Sequence, residues 1–184
     1  PVIPLEQEPD ANSVGHSMTL DRDVSDMETL ERHILHLSEM VGRRLRRGGY
    51  AGRTVAITLR YPDFNTFTRR STVGMHMNNS IDIYRVAKDI LNTIRLQQPI
   101  RLAGISVCTL TRNVAQIPLF RSDRIKQAAT RAMDEINDRY GDFCVTWGTL
   151  IERYHHTGVI SPSWRPDGVK CVNLSAQKTR EKKV

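Results

Sequence analysis

The spacing of hydrophobic residues between positions 13 and 110 changes repeatedly from every second residue to every third or fourth. The first spacing is typical of a strand with one buried face, and the second of an amphipathic helix. The pattern predicts strands over 13–20, 53–61, 65–73 and 100–110, and helices from Ser25 to Gly48 and over 80–96. This order predicts an α+β fold, a split βαββαβ unit whose four-stranded antiparallel sheet carries both helices on one face.

The other face of such a sheet stays open to solvent. The strand over 65–73 gives that face a wholly polar row without Asp or Glu, which consists of Thr66, Thr68, Arg70 and Thr72. Hydroxyls, guanidinium groups and strand-edge amides are the usual donors to phosphate oxygens. The net charge of +7 also favours an anionic partner, and nucleic acid is the first candidate.

Composition also limits the compartment. The three cysteines, Cys108, Cys144 and Cys171, are odd in number and form no C-x-x-C motif, which favours a reducing environment. No apolar run approaches the roughly 20 residues of a membrane-spanning helix. These features predict a cytoplasmic location.

The arginines between Arg43 and Arg53 have two interpretations. They could form a patch that binds phosphate, or they could be the solvated end of the first helix, where cations suit the helix dipole. The residues alone leave both interpretations open.

The chain changes character beyond residue 112. A predicted helix over 122–141 leaves Asp134 and Glu135 on its solvated face, while one stripe holds its apolar residues, Ile125, Ala128, Ala129, Ala132, Met133 and Ile136. The segment FCVTWGTLIE, residues 143–152, is strand-like, and a basic tail completes the C-terminal region over 122–184.

The segment NVAQIPLFRSD, residues 113–123, combines apolar side chains with Pro118, which interrupts regular structure. Ile117, Leu119 and Phe120 therefore have two possible roles. They could fill the core beneath the following helix, or they could bind another protein.

Several segments, taken in order, resemble a known domain: SVGHSMTL, the long first helix, GRTVAITLRYPDFNTFTRRSTV and IRLAGISVCTL. They resemble the little finger domain of the Y-family DNA polymerases, the translesion group that includes bacterial DNA polymerase IV and the ImpB/MucB/SamB-type UV-damage repair proteins. The resemblance covers roughly residues 12–112 and makes residues 1–11 a linker from a catalytic core. It implies DNA damage bypass by a parent polymerase, whose palm and Mg²⁺ are expected outside this chain; no cofactor is expected within it, and alone it should be inactive.

The resemblance also implies contacts with duplex DNA. The positions that match contact positions of the family are Ser13, Val14, Gly15, Arg69, Arg70, Ser71, Thr72 and Arg101. The residues AQIPLF, within 113–121, resemble the peptide by which these polymerases bind the sliding clamp. Gln116, Ile117, Leu119 and Phe120 match that peptide, and Pro118 departs from it.

Two other classes of protein share parts of this pattern. An RNA-binding module of the RRM type has the same element order, but it stacks bases on paired aromatic residues, and the third strand here offers only Phe67. A protein-interaction module could use the basic face to bind an acidic protein.

Overall fold

A computed structural model of the chain describes residues 11–112 and 120–150. These residues form the strands and helices β1 Ser13–Val24, α1 Met27–Arg47, β2 Tyr50–Arg60, β3 Thr66–Met77, α2 Ser80–Asn92, β4 Ile100–Arg112 and α3 Arg121–Tyr140, and a 3₁₀ helix Gly148–Leu150. The strands form one antiparallel sheet in the order β1-β4-β2-β3. This confirms the predicted α+β fold. Three residues predicted to bind the clamp, Gln116, Ile117 and Leu119, lie outside the described residues. So do most of the predicted linker and the basic tail.

Helices α1 and α2 cover one face of the sheet. The side chains between the helices and this face are almost fully buried and include Leu30, Ile34, Leu37, Ile57, Leu59, Ile83, Leu91 and Ile105. Each such side chain contributes about 1.5 to 3 kcal/mol to folding by its removal from water. Within the described residues, the helices therefore hold the sheet from one side. None of the described helices combines the length and the apolar character that a bilayer span requires.

The N-cap of helix α1 lies one residue after the predicted cap, Ser25. Asp26 occupies the N-cap position, and its carboxylate accepts a hydrogen bond from the backbone N–H of Thr29 at 2.8 Å. This hydrogen bond lowers the pKa of Asp26. The helix ends at Arg47 with Gly48 as its C-cap, as predicted, and Gly49 follows with φ of 67°.

Helix α3 packs on α1 with its polar side. Ile125 and Ile136, on the apolar stripe, are 59% and 40% exposed, whereas the side chain of Asp134 is only 19% exposed. The predicted solvated position of Asp134 is therefore wrong. Carboxylates on this side of α3 meet arginines of α1, and this pairing selects the packed face in place of apolar burial.

The ion pairs between α1 and α3 involve three arginines. Arg46 donates to both carboxylate oxygens of Asp134 at 2.6 and 2.8 Å. Buried Arg43 donates to Asp138 at 2.7 Å and also to Asp142. Arg47 donates to Asp138 as well. For Arg43 and Arg46, whose side chains are 7% and 13% exposed, both interpretations were therefore wrong, because their guanidinium groups bind the chain's own carboxylates. The side chain of Arg47 is 54% exposed in the last turn of α1, as the second interpretation predicted, although it also binds Asp138.

The contact between Arg47 and Asp138 shifts the pKa values of both residues. Hydrogen bonds from Arg43 and Arg47 lower the pKa of Asp138. The hydrogen bond to Asp138 in turn raises the pKa of Arg47. Since the depressed pKa means that the ionised form of Asp138 is stabilised, the contribution of Asp138 to the docking of α3 is fully present above the ordinary carboxyl pKa and is lost as the pH falls through the lowered value.

The chain after α3 folds back towards α1. The side-chain amide of buried Asn137 donates to the carbonyl of Val145 and accepts from its N–H, both at 2.9 Å. The indole N–H of Trp147 donates to Glu39 of α1 at 2.8 Å. The predicted strand over 143–152 is therefore wrong for its described part, because residues 143–150 form turns and the 3₁₀ helix.

Asp134→Asn should loosen the docking of α3 without affecting the sheet. The variant removes the charge that binds Arg46, and a hydrogen bond between charged groups contributes about 1 to 3 kcal/mol. Amide hydrogen exchange should therefore accelerate in α3 and remain slow in β2 and β4. Glu135→Gln is the matched control, since the neighbouring Glu135 is exposed. Equal exchange in the two variants would contradict this account.

Candidate nucleic-acid interface

The open face of the sheet carries a ladder of polar pairs between β2 and β3. The paired positions are Arg60–Thr66, Thr58–Thr68, Ala56–Arg70 and Thr54–Thr72. The β2 members of these pairs alternate with Val55, Ile57 and Leu59, which are buried under the helices. The ladder therefore lies on the face that the helices leave open.

Side-chain hydrogen bonds connect three of these four pairs. The Arg60 guanidinium donates to the Thr66 hydroxyl at 2.7 Å, the Thr58 and Thr68 hydroxyls are 2.9 Å apart, and those of Thr54 and Thr72 are also 2.9 Å apart. Arg70 lies opposite Ala56, which offers no polar group, and it is exposed. None of the eight ladder positions is Asp or Glu. Arg60 and Arg70 therefore give this part of the face a positive charge.

Besides Leu102, the other half of the open face carries several small residues. Gly15 of β1 lies opposite Ser106 of β4, and Ser17 lies opposite Gly104. A Cβ atom on Gly15 would lie 2.9 Å from the Cβ of Ser106, and one on Gly104 would lie 3.0 Å from the Cβ of Ser17. Because glycine positions keep the surface low, a backbone from another molecule can approach the sheet closely here.

The structure divides the predicted DNA contacts between the two faces of the sheet. Those at open-face positions are Ser13, Gly15, Thr66, Thr68, Arg70 and Thr72. Val14 is 4% exposed and lies in the core, so only its main chain could reach a ligand. As DNA contacts, all of these residues stay predictions.

Arg69, Ser71 and Arg101 are not part of the ladder. Arg69 and Ser71 pair with buried Ile57 and Val55, so their side chains project on the helix side of β3. Arg101 is exposed beside the register shift between β1 and β4, and its guanidinium lies 3.8 Å from the carboxylate of Asp23. The alternation of side chains along β3 therefore puts Arg69 and Ser71 on the side opposite to Arg70 and Thr72.

One open-face hydroxyl could not be assigned from the sequence. Thr109 has φ of 55°, in the left-handed region, and its hydroxyl lies 3.1 Å from that of Thr54. Regular alternation along β4 would put Thr109 on the same side as buried Val107. The residue pattern contains no signal for this local reversal.

A buried histidine lies beside Gly15 on β1. Arg44 of α1 donates to the Gly15 carbonyl at 2.8 Å, and its guanidinium is 3.4 Å from Nδ1 of His16. Burial of the imidazole, followed by the charge of Arg44, lowers the pKa of His16 to about 4. His16 is therefore neutral at pH 7, and Arg44 holds this end of β1 against α1.

Comparison with known proteins agrees with this fold. The model of the impB/mucB/samB family C-terminal domain matches residues 11–119. The chain belongs to this family. The match confirms the resemblance stated from the sequence.

Curated relatives of this impB/mucB/samB-family chain include two enzymes named DNA polymerase IV. The one from Moorella thermoacetica is 38% identical over 132 residues, which are 71% of this chain and 33% of the relative. The one from Pelotomaculum thermopropionicum is 37% identical over 147 residues, 79% of this chain and 36% of the relative. The chain thus spans about a third of the length of these relatives.

A solved structure supports the fold assignment. A chimeric Y-family DNA polymerase aligns with a TM-score of 0.51 and 13% identity, over 57% of this chain and 30% of that one. A complex of the beta-clamp processivity factor and the little finger domain of PolIV aligns with a TM-score of 0.46 and 21% identity, over 59% of this chain and 98% of that one.

Folding stability should fall as the pH is lowered from 6.5 towards 4. An unfolded imidazole binds its proton near pH 6.5, whereas the buried His16 binds one only near pH 4. The unfolded state therefore holds more protons in this window, and acidification favours it by at most about 3 kcal/mol. Urea unfolding at several pH values measures the effect. His16→Gln should remove most of the pH dependence in this window, and an unchanged profile would contradict the assignment.

Proposed function

We propose that this chain is the DNA-binding C-terminal part of a Y-family translesion DNA polymerase, which grips duplex DNA by its phosphate backbone and docks on a sliding clamp. The observation that carries the DNA proposal is the acid-free polar ladder on the open face. Hydroxyl and guanidinium donors recognise phosphate without reading base sequence. Such a surface suits an enzyme that must bind DNA of any sequence.

Arg70 is the central residue of this proposal. The hydroxyl pairs Thr58–Thr68 and Thr54–Thr72 lie two residues along the strands on either side of it, which corresponds to about 7 Å in each direction. Arg70 thus supplies the charge for a row of neutral donors. The low surface formed by Gly15 and Gly104 would let the sugar–phosphate backbone lie close to β1 and β4.

Nucleotide transfer belongs to the remainder of the proposed polymerase. The chain spans about a third of its relatives named DNA polymerase IV, and we assign polymerisation, with its Mg²⁺ ions, to the catalytic part that this chain does not contain. The chain alone is expected to bind DNA without extending a primer. The cytoplasmic location remains part of the proposal.

The exposure of Phe120 supports clamp docking. Its ring is 67% exposed, so this residue does not fill the core of the described structure. Its carbonyl accepts hydrogen bonds from the N–H groups of Asp123 and Arg124, both at 3.2 Å, which anchors its main chain to the start of α3. A fixed backbone with an exposed aromatic side chain suits an anchor that enters a pocket on a partner.

Arg70→Ala should weaken binding of a short duplex and reduce its salt dependence. Loss of one arginine–phosphate contact lowers the slope of log affinity against log salt by about 1. Fluorescence anisotropy with two unrelated duplex sequences measures both quantities. Arg69→Ala is the matched control, since the side chain of Arg69 projects on the other side of β3. It should change the slope less than Arg70→Ala, because any contact that the main chain of Arg69 makes with DNA is retained in the variant.

Three results would contradict the DNA proposal. These are no duplex binding by the wild type, equal effects of the two variants on the slope, and a strong sequence preference. Tighter binding of single-stranded RNA than of duplex DNA would favour the RNA-binding alternative. Binding only to acidic proteins would favour the interaction module.

The double variant Leu119→Ala/Phe120→Ala should abolish binding to a bacterial sliding clamp, because loss of two apolar anchors removes most of the energy of such an interface. Isothermal titration calorimetry measures binding, and circular dichroism checks the fold. Phe64→Ala is the control, since Phe64 is similarly exposed at 71% but lies in the turn between β2 and β3. Unchanged affinity of the double variant, or its unfolding, would contradict the clamp proposal.

A further inference from the structure

Thr109 adopts a backbone conformation that is costly for its residue type. Its φ of 55° lies in the left-handed region, where a β-branched side chain is a genuine outlier. Thr109 is exposed, so core packing does not account for this conformation. Strain of this kind persists where the surroundings impose it, and it concentrates at functional sites.

The unusual conformation moves a hydroxyl to the open face. Val107, two residues earlier on β4, is fully buried under the helices. The hydroxyl of Thr109 instead lies 3.1 Å from that of Thr54, which lies 2.9 Å from that of Thr72. Three strands thus bring three hydroxyls together, and we call this group the threonine cluster.

The threonine cluster always has one hydroxyl proton without an acceptor inside it. Three hydroxyls carry three protons, and two hydrogen bonds use two of them. No other side-chain hydrogen bond of these three residues occurs in the described part of the chain. Thr54 lies between Thr72 and Thr109, both of which are exposed. When Thr54 accepts one hydrogen bond and donates the other, the unused proton is therefore on Thr72 or on Thr109.

We propose that Thr54, Thr72 and Thr109 form a phosphate-binding subsite, whose ligand is a non-bridging oxygen of the duplex DNA backbone. The inference rests on the proposed DNA binding and adds Thr54 and Thr109 to the interface. A phosphate oxygen accepts the proton that the cluster cannot use internally, and a hydrogen bond to a charged acceptor is stronger than one to water. Arg70, two residues from Thr72, supplies the neighbouring charge.

The test compares two substitutions of Thr109. Thr109→Val keeps the branched shape and removes the hydroxyl, and it should weaken duplex binding by about 3- to 10-fold. Thr109→Ser keeps the hydroxyl and should bind within about twofold of the wild type. The slope against salt should stay unchanged in both variants, since a neutral hydroxyl releases no counterion. Thr111→Val is the control on the same strand, because the Thr111 hydroxyl is paired with His76 at 3.1 Å.

A second position keeps the proposal testable if Thr109→Val does not fold. Thr72→Val, on regular β3, should cause a similar loss, and combined with Thr109→Val it should cause less than the product of the two single losses, since both hydroxyls serve one phosphate. Unchanged affinity of both single variants, with Arg70→Ala still impaired, would overturn the subsite and leave DNA binding intact. Absence of duplex binding by the wild type would overturn both. A changed salt slope in Thr109→Val would show that the variant disturbs charged contacts, and it would also overturn the subsite.

Discussion

The burial of one sheet face under α1 and α2 determines how the rest of the molecule can be used. Both helices lie on the same side, and their apolar residues meet those of all four strands. The opposite face then has no role in the core, so it can carry hydroxyls, arginines and glycines without loss of packing. A sheet covered on both faces would need apolar residues at the positions where Thr58, Thr68 and Arg70 stand.

The arginines are also divided between internal contacts and the open face of the sheet. A net charge of +7 suggests an anionic partner but does not say which arginines are available to it. Arg43, Arg46 and Arg47 are used within the chain, where they hold α3 against α1 through Asp134 and Asp138. Arg60 and Arg70 stand on the open face. The internal ion pairs reduce the positive charge at the end of α1. Arg60 and Arg70 of the ladder therefore belong to the positive charge of the described surface that a phosphate can reach.

Helix α3 shows the limit of reasoning from periodicity. Its apolar stripe has the spacing of a core-facing helix, yet Ile125 and Ile136 are exposed and the carboxylates on the other side make the contacts. Periodicity describes which residues share a face, but it does not say which face meets the neighbour. That choice depends on the arginines of α1, about 90 residues away in sequence.

The order of the strands and helices, the polar row on β3 and the resemblance that the family match confirms could all be predicted from the sequence. These follow from local periodicity and from short runs of residues, which need no knowledge of distant contacts. The structure was needed to show that the arginines of α1 bind α3 and that Thr109 joins Thr54 and Thr72. The pairing of α1 with α3 joins residues that are distant in sequence. The threonine contact depends on a backbone reversal at Thr109 and on the register of three strands. Neither leaves a trace in a single stretch of sequence.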